Sequence, residues 1–141
     1  MVKDSKRHID SLNDGRTIFI DGRRVADVTT DPAFANAVAT SGKFYDFQAA
    51  PQNIDAMTFT SPKTGDQVSR AWQLPRNHRE LVERREALVK WSRMTCGMVG
   101  RSPDHVASTM AGFRMGLHVF HENNPARARA VESYYEYARD N

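Results

Sequence analysis

A single cysteine, Cys96, occurs in 141 residues. That excludes an internal disulfide and suits a reducing compartment. No apolar run approaches the ~18–20 residues that a bilayer span requires, and the opening stretch MVKDSKRHIDSL has no apolar core of a secretory signal. The expectation is a cytoplasmic protein with no membrane association. Concentrated basic charge is missing too. The net charge is +3, but no run of Lys or Arg exceeds two, and acids alternate with them, as in ELVERRE at 80–86. A nucleic-acid face needs a basic stripe, so no nucleic-acid partner is expected. Internal repeats and low-complexity linkers are lacking as well. What remains is the composition of one ordinary globular domain, 40% hydrophobic and 26% charged.

The pattern that is present predicts a mainly α chain with two small β-hairpins. Residues 4–13 read as a short helix with Ile9 and Leu12 on one side, stopped by Asn13-Asp14-Gly15. Thr17–Ile20 and Val25–Val28 flank Asp21-Gly22, a hairpin signature. Thr30-Asp31-Pro32 predicts a helix start, with Phe34, Val38 and Tyr45 on a helix of about 15 residues. Met57–Thr60 and Gln67–Leu74 around a Pro/Gly turn suggest a second hairpin. From Arg79 to Cys96 the residues Leu81, Leu88, Trp91 and Thr95 form an apolar stripe, with Asn77 and Gly97 as caps. Ser102-Pro103-Asp104 predicts the start of another helix carrying Val106, Met110, Phe113, Leu117 and Phe120. A last helix runs from Ala126 to Arg139 after the break at 121–125.

Three groups of residues are candidates for chemistry. His118 and His121 stand three apart with Glu122 beside them, whereas metalloprotease motifs need histidines four apart or His-x-x-Glu-His. With no third ligand, a solvated helix end is the expectation, and no metal. Cys96 has no ordered His/Asn set and reads as a small packing residue. Met94, Met98, Met110 and Met115 read as a soft apolar surface. The junction around Arg101 carries more. Arg101 precedes a helix N-terminus, where free N–H groups favour anions and electron-rich oxygens, and it adds a permanent planar donor set. His105 follows one helical turn later, so both side chains can face one ligand.

Four motifs in order, IFIDGRRVADVTTDPAF (18–34), TFTSPKTG (58–65), WSRM (91–94) and GRSPD (100–104), resemble the N-terminal region of the oxygenase component of 4-hydroxyphenylacetate 3-monooxygenase. The resemblance extends from about Ile9 to Asn141. It implies an acyl-CoA-dehydrogenase-like fold, of which 1–141 is the N-terminal helical domain without the β domain and C-terminal bundle. The chain then reads as a fragment or truncated product. The resemblance further implies a reduced-FAD-dependent monooxygenase that hydroxylates a phenol ortho to its hydroxyl, fed by a separate flavin reductase and assembled as a homotetramer in full-length form. Most FAD contacts are expected beyond Asn141. Arg101 matches the family arginine at the phenolic oxygen, where a cation favours the more electron-rich phenolate. His105 stands where the family has a tyrosine, so the substrate is left open. Two alternatives accompany this reading. One is a non-catalytic helical module that packs on a partner. The other is the related 4-hydroxybutyryl-CoA dehydratase branch, whose iron–sulfur ligands a single cysteine does not supply.

Overall fold

The structure is a computed structural model that describes residues 2–97 and 104–141. The chain divides into two compact units, 2–53 and 54–141.

The first unit is two helices and a hairpin. Helix α1 (Ser5–Asp10) is capped by the Asp4 carboxylate, which accepts from the Arg7 amide at 2.9 Å. Strands β1 (Ile18–Ile20) and β2 (Arg23–Val25) pair antiparallel, with Ile18 opposite Val25. The two-residue turn places Asp21 at φ 49° and Gly22 at φ 75°, which matches the twist of the strands. This tight turn starts β2 directly after Gly22, so the strand is Arg23–Val25 rather than the expected 25–28. Helix α2 (Ala35–Ala49) begins later than Pro32. Asp31 is occupied otherwise: it accepts from the Ala33 amide and takes both terminal nitrogens of Arg23, at 2.8 and 3.2 Å. Helices α1 and α2 approach closely at Gly42, where a Cβ would stand 3.2 Å from that of Ser5.

The second unit opens with one helical turn, α3 (Ile54–Met57), which the sequence pattern does not announce. Strands β3 (Thr58–Thr60) and β4 (Gln67–Ser69) follow, with Phe59 opposite Val68, and the chain turns into a 3-10 segment at Arg70–Trp72. Four helices complete the unit: α4 (His78–Met94), α5 (Asp104–Met115), α6 (Leu117–Asn123) and α7 (Pro125–Asp140). The core lies among Met57, Ala71, Ala87, Trp91, Ala107, Ala111, Ala128 and Tyr135. Alanines on α5 and α7 let backbones come close, and the buried aromatics fill the remaining volume.

The cap expected at Asn77 is present, and Asn124 adds one at α7 that the sequence pattern does not announce. Asn77 accepts from the Glu80 amide, while Glu80 reaches back to the Arg76 amide, a reciprocal box at the head of α4. Asn124 accepts from the amides of Ala126 and Arg127 at the head of α7, and Pro125 occupies its first turn. Three packing expectations are corrected. Leu81 is half exposed, and the inner stripe of α4 is built on Ala87 and Trp91. Val106 and Phe113 point outward, because the alanines at 107 and 111 form the inner face of α5. Cys96 is exposed at φ 51°, where the chain leaves α4 through Gly97 at φ 78°. A left-handed pair at a helix end carries the side chain into solvent rather than into the core. The expected single helix after Pro103 is also broken: Gly116, at φ −90° and ψ 23°, ends α5 and caps α6. Phe113 and Phe120 make an edge-to-face contact across that break, with ring centroids 5.5 Å apart.

The turn between β3 and β4 docks on α7. The Ser61 hydroxyl donates to Asp140 at 2.8 Å and accepts from the amides of Lys63 and Thr64. Arg139 grips the same carboxylate through two nitrogens, and both side chains are buried. Lys63 pairs with Glu136 one turn earlier. The Tyr135 hydroxyl donates to the Trp72 carbonyl, which ties α7 to the 3-10 segment.

Candidate functional site

Of the two residues the sequence singles out, Arg101 lies outside the described residues, as do the expected cap at Ser102-Pro103 and Met98. His105 is described. It sits on the first turn of α5 with its side chain exposed, and its carbonyl accepts from the Thr109 hydroxyl at 2.9 Å.

The surroundings of His105 follow from helical geometry. Side chains rotate by about 100° per residue, so His105, Val106, Thr109, Gly112 and Phe113 share one side of α5. All five are exposed. The opposite side carries Ala107 and Ala111, both buried, with Ser108 and Asp104 at its margin. The outward face thus has an imidazole and a hydroxyl near its N-terminal end, apolar carbons alongside, and a notch at Gly112. A Cβ built at Gly112 meets nothing within 4 Å. An exposed face with polar groups at one end and apolar carbons alongside can meet an aromatic ligand bearing an oxygen.

Beneath this helix lies a cation, Arg84, that the sequence pattern does not single out. Arg84 donates through Nε and Nη2 to the Ala71 carbonyl, at 3.1 and 2.8 Å, and through Nη2 to the Ser108 hydroxyl at 2.8 Å. Burial pulls its pKa below the ordinary arginine value, with Asp104 and then Tyr135 acting in the opposite sense. A signal was available in the sequence. Arg84 stands three before Ala87 and seven before Trp91, on the stripe that packs inward. Its neighbour Arg85 is exposed and meets Glu86.

The other candidates stay apart from this face. His118 and His121 are exposed on α6, and among the described residues no group of three His, Cys, Asp or Glu is placed to hold a metal ion. Surface depressions formed by described residues include one within each unit. One of about 840 Å³ is lined by Ile9, Arg16, Arg24 and Val28 among others, and one of about 230 Å³ by Phe59, Leu74, Arg76 and Tyr135 among others. Neither includes His105.

The family model described as 4-hydroxyphenylacetate 3-hydroxylase N terminal matches residues 4–141. The oxygenase component of 4-hydroxyphenylacetate 3-monooxygenase from Geobacillus sp. is 36% identical over 140 residues, covering 99% of this chain and 28% of that protein. A crystal structure of such an oxygenase component, complexed with FAD and 4-hydroxyphenylacetate, superposes with a TM-score of 0.87 at 27% identity. It covers 98% of this chain and 28% of that one. An archaeal 4-hydroxybutyryl-CoA dehydratase from N. maritimus shares the fold at a TM-score of 0.77 and 15% identity, over 99% of this chain and 28% of its own. The chain therefore spans less than a third of these relatives, and its mainly α fold with small hairpins is that of the N-terminal region of the acyl-CoA-dehydrogenase-like architecture. By its sequence over residues 4–141 the chain belongs to the 4-hydroxyphenylacetate 3-hydroxylase N-terminal family.

Proposed function

We propose that this chain supplies the substrate-facing helical segment of a two-component, reduced-FAD-dependent monooxygenase that hydroxylates a phenol such as 4-hydroxyphenylacetate ortho to its hydroxyl. The observation that carries the reading is the match over nearly the whole chain to oxygenase components solved with FAD and with 4-hydroxyphenylacetate. In this reading 1–141 is the N-terminal helical domain. A separate reductase delivers the flavin, and the assembled oxygenase is a homotetramer.

The donor set on α5 fits a phenol. Val106 and Phe113 offer apolar contact, Gly112 leaves room for a ring, and His105 lies at the polar edge. Reduced FAD, when bound, would supply the two electrons that activate dioxygen, one atom of which enters the ring while the other leaves as water. The chain's own residues bind and polarise the acceptor. Arg101, permanently charged, favours the phenolate and so enriches the ring carbon ortho to it. His105 holds the phenolic oxygen by donating a proton from one imidazole nitrogen, and the apolar carbons beside it keep water from the ring. An imidazole reaches less far than the tyrosine of the family resemblance, so the phenol sits nearer to α5 or carries a bulkier substituent.

In the assembled oxygenase, Arg101→Ala is expected to lower hydroxylated product per reduced flavin by about 10²-fold, the scale of losing one charge-stabilising donor, while flavin oxidation continues. Product formation and flavin oxidation measured together decide this, and an unchanged yield removes Arg101 from the site.

A further inference from the structure

The hydroxylation reading gives no task to Arg84, although its guanidinium joins three elements. Two donors meet one carbonyl of the 3-10 segment at Ala71, and a third meets Ser108 on α5. Ser108 and Asp104 lie on the inner margin of the first two turns of α5, while His105 lies on the outer side. A rigid planar fork with fixed donor directions holds both acceptors at once, whereas a lysine ammonium keeps the charge but loses the Nε donor and the fixed donor directions. We infer that Arg84 is a positioning residue for the substrate-facing turn. By pinning the inner edge of α5 to the 3-10 segment, it fixes the rotation of the helix about its axis and so the direction in which His105 is presented. The functional part of this inference rests on the reading of His105 as a substrate contact.

The geometry explains why the contact bears on function and not only on packing. Ala107 and Ala111, the buried residues of α5, carry no directional group, so they hold the helix by packing alone. Ser108 is the α5 side chain whose hydrogen bond to another element opposes rotation of the helix at the His105 end. Arg114, which pairs with Glu132 on α7, secures the far end.

The test uses Ser108→Ala, which removes one acceptor and leaves the core alanines untouched, together with Arg84→Gln and Arg84→Lys, in the assembled oxygenase. Amide hydrogen exchange over 104–111 is expected to quicken by roughly five- to tenfold in Ser108→Ala and Arg84→Gln, the scale of one lost hydrogen bond. The KM for the phenol is expected to rise several-fold in both, at an unchanged rate of flavin oxidation, with Arg84→Lys falling between them and wild type. Unchanged exchange in Ser108→Ala overturns the inference, and so does quickened exchange with an unmoved KM. A wild-type oxygenase that oxidises reduced flavin and hydroxylates no phenol sinks the substrate reading instead, and exchange over 104–111 then decides alone whether Arg84 holds the turn.

Discussion

Two imidazoles of this chain illustrate how environment assigns different tasks to one side chain. His105 is exposed on the outer face of α5. His8 is partly buried between α1 and α2, stacked on the Tyr45 ring at 4.2 Å, and its Nδ1 is buried without a hydrogen-bond partner. Burial, and then the nearby Lys3 charge, lower the His8 pKa from its ordinary 6.5. The sign follows from linkage. As pH falls through about 6.5 the unfolded chain takes up the proton first, so stability present above that pH is lost below it. His8→Phe keeps the stack on Tyr45 and removes the proton. The drop in unfolding midpoint between pH 7.5 and 5 is expected to be smaller in this variant than in wild type. Equal drops, measured by circular dichroism on the 141-residue chain, remove His8 as the source.

At the scale of elements, α5 shows both the reach and the limit of sequence reading. Its existence was legible, because Ser102-Pro103-Asp104 reads as a helix start. Which face turns inward was not. The helix has a Val/Phe stripe and an alanine stripe, and periodicity alone favours the larger side chains. The structure buries Ala107 and Ala111, since close helix approach gains more from small residues than a bulky stripe would at that spacing. Gly116 likewise reads as one residue within a periodic run, yet its backbone freedom ends α5 and opens α6. Gly112 provides a test that separates stability from function. It lies in a helix interior with open space at its Cβ position. Gly112→Ala is therefore expected to stabilise the chain by about 0.5–1 kcal/mol, raising Tm by a few degrees. In the assembled oxygenase the same methyl encroaches on the ring notch and is expected to raise the KM for the phenol. A fall in Tm contradicts the open-space geometry. An unmoved KM at higher Tm places the ring elsewhere.

For the whole molecule, the chain matches 28% of the FAD-complexed relative, and neither of the two depressions described above includes His105. Among the described residues no helix is long and apolar enough to cross a membrane. Several large apolar side chains stand exposed on the second unit, including Leu81, Phe113, Met115 and Tyr137. The 141-residue chain by itself is expected to show no saturable FAD binding at micromolar concentration, as read from flavin fluorescence. Saturable binding accompanied by phenol hydroxylation overturns the view that flavin contacts lie mainly outside these residues. The division into two units was not legible from composition, because it depends on which helices pack together, and no linker composition marks residue 53.

The bond between Ser61 and Asp140 spans 79 positions, and that separation sets a clock on biosynthesis. Polypeptide is made at roughly 5–20 residues per second, so about 4–16 seconds pass between the synthesis of the β3–β4 turn and that of its acceptor carboxylate. During that interval the turn holds its local bonds, among them those of the Lys63 and Thr64 amides to the Ser61 hydroxyl. The second unit is thus closed by its last helix, and a ribosome that stalls before Asp140 leaves Ser61 without this acceptor even where Lys63 has met Glu136.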